Sequence, residues 1–351
     1  MTSSDVKRFA RDIGFDLCGI APVESFPELS FLEDWLDRGY AGEMRYMERT
    51  KRRRSDVRQV LPSARSVIAL ATLYNTDRPY STEHDNPNEA TISRYAWGED
   101  YHDILQQRTE MLLERLRTAS TESFDARCYV DTGPIQERVY AQYGGLGWIG
   151  KNTCLIHPEQ GSWFFLSEII TSLSLDVDTP QLDQCGTCTL CLEACPTDAL
   201  REPGVLDSTR CLSYLTIELR GPIPELRRPD LGNHVYGCDI CQDVCPYNAD
   251  PITSDDPVWQ PRPAFERPSL VSLWSRDDAD LDRELGTSAM SRAGIVGLRR
   301  NVATALGNTG DAGAAEALNK SRNPREASFD DPTVAEHVSW AQERLGNQSN
   351  T

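Results

Sequence analysis

The sequence predicts a mixed α/β chain in three parts, and three observations carry that prediction. Helix and strand patterns alternate as far as about residue 175, as in an α/β or α+β sandwich domain. Eight of the eleven cysteines then fall between Cys185 and Cys245. Beyond a proline-rich acidic stretch, apolar residues recur at helical spacing. The expected boundaries are 1–178 for the sandwich domain, 179–252 for a bacterial-ferredoxin-like domain, and 253–351 for a linker and a short HEAT-like helical region.

The elements follow in order. Asp5 to Ile13 reads as a helix, FDLCGIAPV as a strand, and FLEDWLDRGY as a helix stopped by Gly39. The β-branched, apolar run RSVIALATLY (Arg65 to Tyr74) is a buried strand. TDRPYSTEHDNPNEA is a polar loop. Ile104, Leu105, Leu112 and Leu116 share one face of a helix from Asp100 to Ala119. RCYVD is a strand, Asp131 to Pro134 a turn, and PIQERVYAQYG a helix with Pro134 in its first turn. GGLGWIGKNTCLI is a glycine-rich turn into a strand, and SWFFLSEIITSL a further strand. DVDTPQLDQ is an acidic linker. Ile295, Leu298, Val302 and Leu306 mark a helix that forms a HEAT-like hairpin with the alanine-rich segment after GNTGD. One such unit cannot bury its own face, so it is expected to pack on the preceding domain.

The chain has 351 residues, a 39% hydrophobic content and a formal net charge of −18. That is enough apolar residue for real cores, with no run near the ~20 residues of a membrane span. The amino terminus has no apolar signal core, and a cytosolic, reducing compartment is expected. The negative charge opposes nonspecific binding of polyanions. A nucleic-acid partner would have to meet a local basic face, and Arg45 to Arg58, Arg220 to Arg228 and the arginines near Arg299 are candidates. Each could equally be a solvated surface.

The cysteines read Cys185-x2-Cys188-x2-Cys191-x3-Cys195-Pro, then Cys211 alone, then Cys238-x2-Cys241-x3-Cys245-Pro. This is the spacing of ferredoxins with two [4Fe–4S] clusters, in which the cysteine before proline reaches the other cluster. Val235 stands where a full second run would have its first cysteine, and Cys211 is the substitute. One cluster is expected on Cys185, Cys188, Cys191 and Cys245, the other on Cys195, Cys211, Cys238 and Cys241. Zinc closes with four ligands and does not need interleaved runs. Cys18, Cys128 and Cys154 sit in apolar contexts and read as small core residues.

Two further motifs are ambiguous. Gly145-x4-Gly150-Lys151 mimics a phosphate-binding loop, but Asn152 stands where Ser or Thr is needed and a helix precedes it, so nucleotide hydrolysis is rejected. The glycines imply close approach to something large and flat, or tight packing. Asp131, at a strand end before a helix, is either an N-cap or a catalytic acid. No G-x-G-x-x-G supports a dinucleotide fold. Clusters alone move electrons, so a second cofactor is implied.

Taken together, YMERTKRRRSDVRQVLPSARSVI, SRYAWGEDYH, VDTGPIQERVYAQYGGLGWIGKNTCLI, the cysteine runs, CLSYLTIELRGPIP and GLRRNVATALGN span most of the chain and resemble the epoxyqueuosine reductase family. The resemblance implies a cobalamin-binding N-terminal domain with the cofactor base-off, and clusters fed by an external low-potential donor. It implies a substrate epoxyqueuosine at the wobble position of a tRNA, reduced to queuosine by a cytoplasmic, monomeric enzyme that uses no membrane. Cobalt(I) would attack an epoxide carbon while Asp131 protonates the oxygen. For that role Asp131 is expected in a poorly solvated pocket with a raised pKa. The implied cobalamin contacts are Arg54, Tyr95, Asp131, Lys151, Asn152, Ser213, Gly237 and Asp239, and the tRNA contacts Arg220, Arg299 and Arg300. Thr132-Gly133 departs mildly from the family's pattern but leaves the Asp in place. The competing readings are a reductive dehalogenase-type enzyme, which typically bears an export signal, and a non-catalytic iron–sulfur carrier, which would have no corrinoid pocket.

Overall fold

The structure, a computed structural model, describes residues 1–83, 86–250, 252–320 and 327–348. Two residues of the predicted polar loop, His84 and Asp85, and parts of the predicted C-terminal region lie outside them.

Helix α1 (Ser3–Ile13) starts on a capping box, with Thr2 Oγ1 accepting from the Asp5 amide and the Asp5 carboxylate accepting from that of Thr2. It ends at Gly14, whose φ of 105° suits only glycine well. Strand β1 (Leu17–Pro22) follows, then α2 (Pro27–Asp37), α3 (Arg45–Ser55), β2 (Ser66–Leu73) and the short β3 (Thr91–Ile92). Asp100 caps α4 (Tyr101–Ala119). Next come β4 (Ala126–Tyr129), α5 (Glu137–Tyr143), the hairpin β5 (Trp148–Ile149) and β6 (Leu155–Ile156), and β7 (Phe164–Thr171). The helix expected from Pro134 begins only at Glu137, behind Gln136, so Asp131 is not its N-cap.

The main sheet runs β1-β2-β7-β4, every pair antiparallel. Ile68 and Leu70 of β2 and Ile169 of β7 join Val6, Leu105, Leu112 and Leu116 in one core, between the sheet and α1 with α4. Val67 and Ile170 point the other way, to Leu29, Val139 and Tyr140 of α2 and α5. The alternation explains why β2 is buried along its whole length. The expected sandwich is therefore helix, sheet, helix.

The cysteine-rich part holds α6 (Leu190–Glu193), the β8 (Leu200–Glu202) and β9 (Val205–Leu206) hairpin, α7 (Leu212–Ile217), β10 (His234–Tyr236) and α8 (Ile240–Asp243). Strand β10 pairs in parallel with β3, which ties this part to the first. Among the described residues five α-helices follow rather than one hairpin: α9 (Leu270–Ser275), α10 (Asp278–Leu285), α11 (Gly294–Asn308), α12 (Ala312–Lys320) and α13 (Pro332–Gln348). Leu298, Val302 and Leu306 of α11 pack with Leu318, Val334 and Leu345, and the same core takes in Ile92, Trp97 and Val235. The helical end thus packs on the preceding parts, as its unburied face required.

Candidate functional site

The fold gathers the eight clustered cysteines into two sets of four. Burial raises Cys191, and the Cys185 and Cys188 thiols add to it. Cys245, pushed up to about 11 by burial, also feels Cys185 and Cys191. In the second set burial raises Cys238, with Cys211 and Cys195 contributing. Cys241 is raised by a hydrogen bond with Cys154, by burial, and by Cys238 and Cys211. These are the two groups that the spacing gives. Each set draws on both cysteine runs, as in ferredoxins with two [4Fe–4S] clusters, whereas a four-ligand zinc site does not require such interleaving. Trp148 Nε1 donates to Cys185 Sγ (3.4 Å) and the Ala199 amide to Cys195 Sγ (3.3 Å).

One turn grips both cysteine runs. Lys151 Nζ donates to the carbonyls of Gly186 (2.7 Å) and Cys188 (2.8 Å). Asn152 Nδ2 donates to the carbonyl of Cys241 (3.2 Å). The neighbouring glycines serve tight packing, not a flat ligand: a Cβ on Gly147 would stand 2.2 Å from the Ile156 carbonyl oxygen, and one on Gly150 2.4 Å from Ile156 Cδ1.

A cavity of about 280 Å³ opens between the sheet and the second cysteine set. Cys195, Cys211, Cys238 and Cys241 form one wall, and Tyr95 and Phe164 are among the residues of the others. Cys154 also lines it, in contact with Cys241. That corrects the reading of Cys154 as a plain core residue. Cys18 and Cys128 do fit that reading, and burial pushes each up to about 12.

Asp131 lies at the rim. Its φ of 51° is rare for a residue with a side chain. Its Oδ2 accepts from the Tyr101 hydroxyl (3.0 Å) and lies 3.2 Å from His102 Nε2. His102 Nδ1 in turn lies 2.7 Å from Asp100 Oδ1. Tyr101 packs edge-on to Tyr95 of the cavity wall, with centroids 6.1 Å apart. Burial works against a charged His102, yet the bonds and charges of Asp100 and Asp131 bring it up to about 9. Burial alone would raise Asp131, but His102, Tyr101 and Arg138 hold it below the ordinary carboxylate range. The expected raised pKa is therefore corrected: with no substrate bound, the proton belongs to His102. Its neighbours crowd the Asp131 carboxylate, yet the side chain is 55% exposed, so it stands at the edge of a cleft rather than inside a dry pocket. Sequence reasoning missed His102, though it stands in the quoted SRYAWGEDYH.

Of the expected cobalamin contacts, Tyr95, Asn152, Ser213 and Asp239 line the cavity. The Asp239 carboxylate is already engaged by the Ser93 hydroxyl and the Arg94 amide. Arg54, Lys151 and Gly237 are not among the lining residues. Arg54 is buried, donating to Thr50 Oγ1 (3.0 Å) and to the Ile135 carbonyl (2.8 Å), where it braces the Asp131 loop. Gly237, at φ 69°, allows close approach to Ser93.

The expected tRNA contacts divide. Arg220 is exposed. Arg299 and Arg300 are each 1% exposed and face inward. Arg299 donates to the Trp274 carbonyl (2.5 Å) and to Asp278 (3.1 Å). Arg300 donates to the carbonyls of Leu215, Leu219 and Gly221, each at 2.7 Å, and to Asn301. They stitch α11 to α7 and α9, and no tRNA contact by them survives.

Two family models match the chain: "4Fe-4S double cluster binding domain" over residues 184–248, and "Epoxyqueuosine reductase QueG, DUF1730" over residues 54–132. An epoxyqueuosine reductase of Gloeobacter violaceus is 44% identical over 317 residues, which cover 88% of this chain and 97% of that protein. One of Xanthomonas campestris is 38% identical, covering 96% and 94%. A crystal structure of epoxyqueuosine reductase with a tRNA-Tyr epoxyqueuosine-modified stem loop superposes with a TM-score of 0.87 at 31% identity, covering 98% of this chain and 90% of that one. No helix among the described residues is long and apolar enough to cross a membrane.

Proposed function

Because the chain belongs to the epoxyqueuosine reductase family, we propose that it reduces epoxyqueuosine to queuosine at the wobble position of a tRNA, with Asp131 as the acid that faces the epoxide oxygen. The reading is carried by one observation. An Asp100–His102–Asp131 chain of hydrogen bonds ends within reach of the Arg138 charge, and Arg138 lines the same cavity as the second cysteine set.

Conversion of an epoxide to an alkene takes up two electrons and two protons and releases water. The two cysteine sets would hold the [4Fe–4S] clusters, which would pass on electrons from an external donor. Cobalamin, when bound, supplies a metal centre that can be reduced to a strong nucleophile toward carbon. The lining suits one edge of such a group, with aromatic and aliphatic side chains, amide and hydroxyl groups, and the thiols of the second cysteine set. Tyr95, Asn152, Ser213 and Asp239 are the residues that would hold it, while Arg54 braces the Asp131 loop and Lys151 the first cysteine run.

The chain's own part is the first of the two protons, the one that goes to the epoxide oxygen; the second, which leaves with that oxygen as water, is drawn from solvent through the exposed Asp131 cleft. His102 holds the first at Nε2, oriented by Asp100 at Nδ1, and passes it to Asp131 Oδ2 as the substrate oxygen becomes basic. Tyr101 fixes that oxygen through its hydroxyl. Burial between substrate and cavity wall would strip water from Asp131 and favour its neutral form, so protonation accompanies binding.

The test is anaerobic turnover of epoxyqueuosine-containing tRNA by protein reconstituted with iron, sulfide and cobalamin. Queuosine must appear, and only when all three are present. Turnover without cobalamin would end this reading.

A further inference from the structure

With Arg299 and Arg300 buried, a chain carrying 54 acidic against 36 basic residues must meet its polyanionic substrate elsewhere. We propose that Arg45, Arg49, Arg52 and Arg53 form a stripe along α3 that binds the phosphate backbone of the tRNA beside the modified nucleotide. This rests on the reading above, that the substrate is carried on tRNA.

At 3.6 residues per turn the four fall within an arc of about 100° on the helix. All four are exposed, and none is paired with a carboxylate among the described residues. Lys51, on the opposite side of the helix, does pair with Glu48 (2.9 Å). Other exposed cations are paired, as in Arg38 with Asp34, Arg58 with Asp56, Arg115 with Asp12 and Arg283 with Asp280, while exposed arginines elsewhere without an ion pair among the described residues, such as Arg11, Arg65, Arg127 and Arg201, stand singly rather than four on one helix face. Like charges three and four apart on a helix repel and destabilise it. Within the stripe Arg49 stands three or four residues from Arg45, Arg52 and Arg53, so these like charges oppose one another until an anion meets them.

Its position fits the substrate. The inner side of α3 carries Arg54, which holds the Ile135 carbonyl of the Asp131 loop. Tyr46 lies under the Arg292 guanidinium, 5.6 Å from its ring centroid, and close enough to Asp131 to feel its charge. At the helix start, Glu43 accepts from the backbone amide of Arg220 (3.1 Å), so that exposed arginine adjoins the stripe. One side of α3 thus supports the acid's loop while another presents unpaired cations to solvent. Phosphates flanking a nucleotide inserted toward Asp131 would pass that stripe.

The experiment measures binding of an epoxyqueuosine-modified anticodon stem-loop by the cluster-loaded protein over a range of salt. Wild type is compared with Arg45→Glu/Arg49→Glu/Arg52→Glu/Arg53→Glu and with the same four positions changed to Lys. The glutamate variant should bind at least about tenfold more weakly, and its slope of log affinity against log salt should fall by about 2 to 3, at ~0.7 per lost phosphate contact. The lysine variant should keep the slope. Iron content reports folding, and if the glutamate variant loses iron, Arg49→Gln/Arg53→Gln takes its place, with an expected slope loss of about 1.4. Unchanged affinity and slope overturn the proposal. Unchanged tRNA binding with slower reduction by an acidic redox protein assigns the stripe to the electron donor and overturns it too. If wild type fails to turn over modified tRNA, the functional reading falls instead, so the two failures are told apart.

Discussion

Helices α3 and α11 both carry adjacent arginines, and the fold uses them in opposite ways. On α11, Arg299 and Arg300 are buried and spend their donors on backbone carbonyls and on Asp278. On α3, only Arg54 does so, while Arg45, Arg49, Arg52 and Arg53 face water without acid partners among the described residues. The surroundings decide the difference. Leu298 to Gly307 of α11 are all buried. A helix apolar all round lies inside, and any arginine on it must find carbonyls. α3 is polar on most of its circumference, so its arginines remain available. Charge that is spent holds the fold, and charge that is unspent can meet a substrate. The same contrast separates Asp239, bonded by Ser93 and Arg94, from Asp131 at the open rim.

The largest effect should come from Asp131, which Tyr101 and His102 hold through Oδ2 but which stays exposed. Asp131→Asn should lower turnover of modified tRNA by about 10²- to 10⁴-fold, the range of general acid catalysis. Iron content and cobalamin uptake should stay as in wild type, because Asp131 lies at the rim and not among the residues lining the cavity. Equal losses in Asp131→Asn and Asp239→Asn turnover, with both proteins intact, would erase the contrast.

The next effect is structural. Arg300→Ala removes donors from three carbonyls and from the Asn301 side chain. Each buried acceptor left without a partner costs about 1 to 3 kcal/mol, so a loss of about 4 kcal/mol is expected, less whatever water recovers. The denaturation midpoint should fall sharply. Stem-loop affinity of the protein that remains folded should not change, and a specific loss of affinity would restore Arg300 to the tRNA face.

Acidity gives a finer measure. His102 is raised to about 9 from an ordinary 6.5 by Asp100 and Asp131, against the opposing effect of burial. Its contribution to stability is full below 6.5 and is lost as pH rises through about 9. Asp131 is held below its ordinary 3.8, so its contribution is present above that value and is lost as pH falls through the lowered one. Arg138 and Tyr101 face Asp131, and Arg262 faces Asp100, so the pair does not titrate alone. Turnover should hold to about pH 9 and then decline. In His102→Gln the alkaline limb should move toward the carboxylate range, with tRNA affinity unchanged. An unmoved limb would take the proton store away from His102.

These outcomes also show which parts of the molecule could be read beforehand. The two thiol sets were legible because ligand spacing is local: Cys185, Cys188 and Cys191 lie on one short loop, Cys238 and Cys241 on another, and only Cys195, Cys211 and Cys245 had to be assigned across the chain. Strand β2 was legible from its continuous apolar run. Asp131 stood out as an acid at a strand end, but its protonation state did not. That state depends on His102, 29 residues away in sequence and in contact only once α4 packs on β7 beside β4. The arginines of α11 were misread because a basic pair was weighed without its neighbours. In GIVGLRRNVATALG nothing else is charged, and that was the missed signal that the helix is interior.

The smallest expected effect sharpens the contrast from its other side. Arg49 sits in the middle of the α3 stripe, exposed and without an acid partner among the described residues. Arg49→Ala should change the denaturation midpoint by no more than about ±0.5 kcal/mol in stability, as for an exposed position away from any network. It should even lean toward stabilisation, because Arg45, Arg52 and Arg53 lose a like-charged neighbour three or four residues away. The same substitution should weaken stem-loop binding and lower the salt slope by about 0.7, one phosphate contact. Loss of stability without loss of slope would place Arg49 with Arg300 among the arginines that hold the fold, and α3 would cease to differ from α11 in kind.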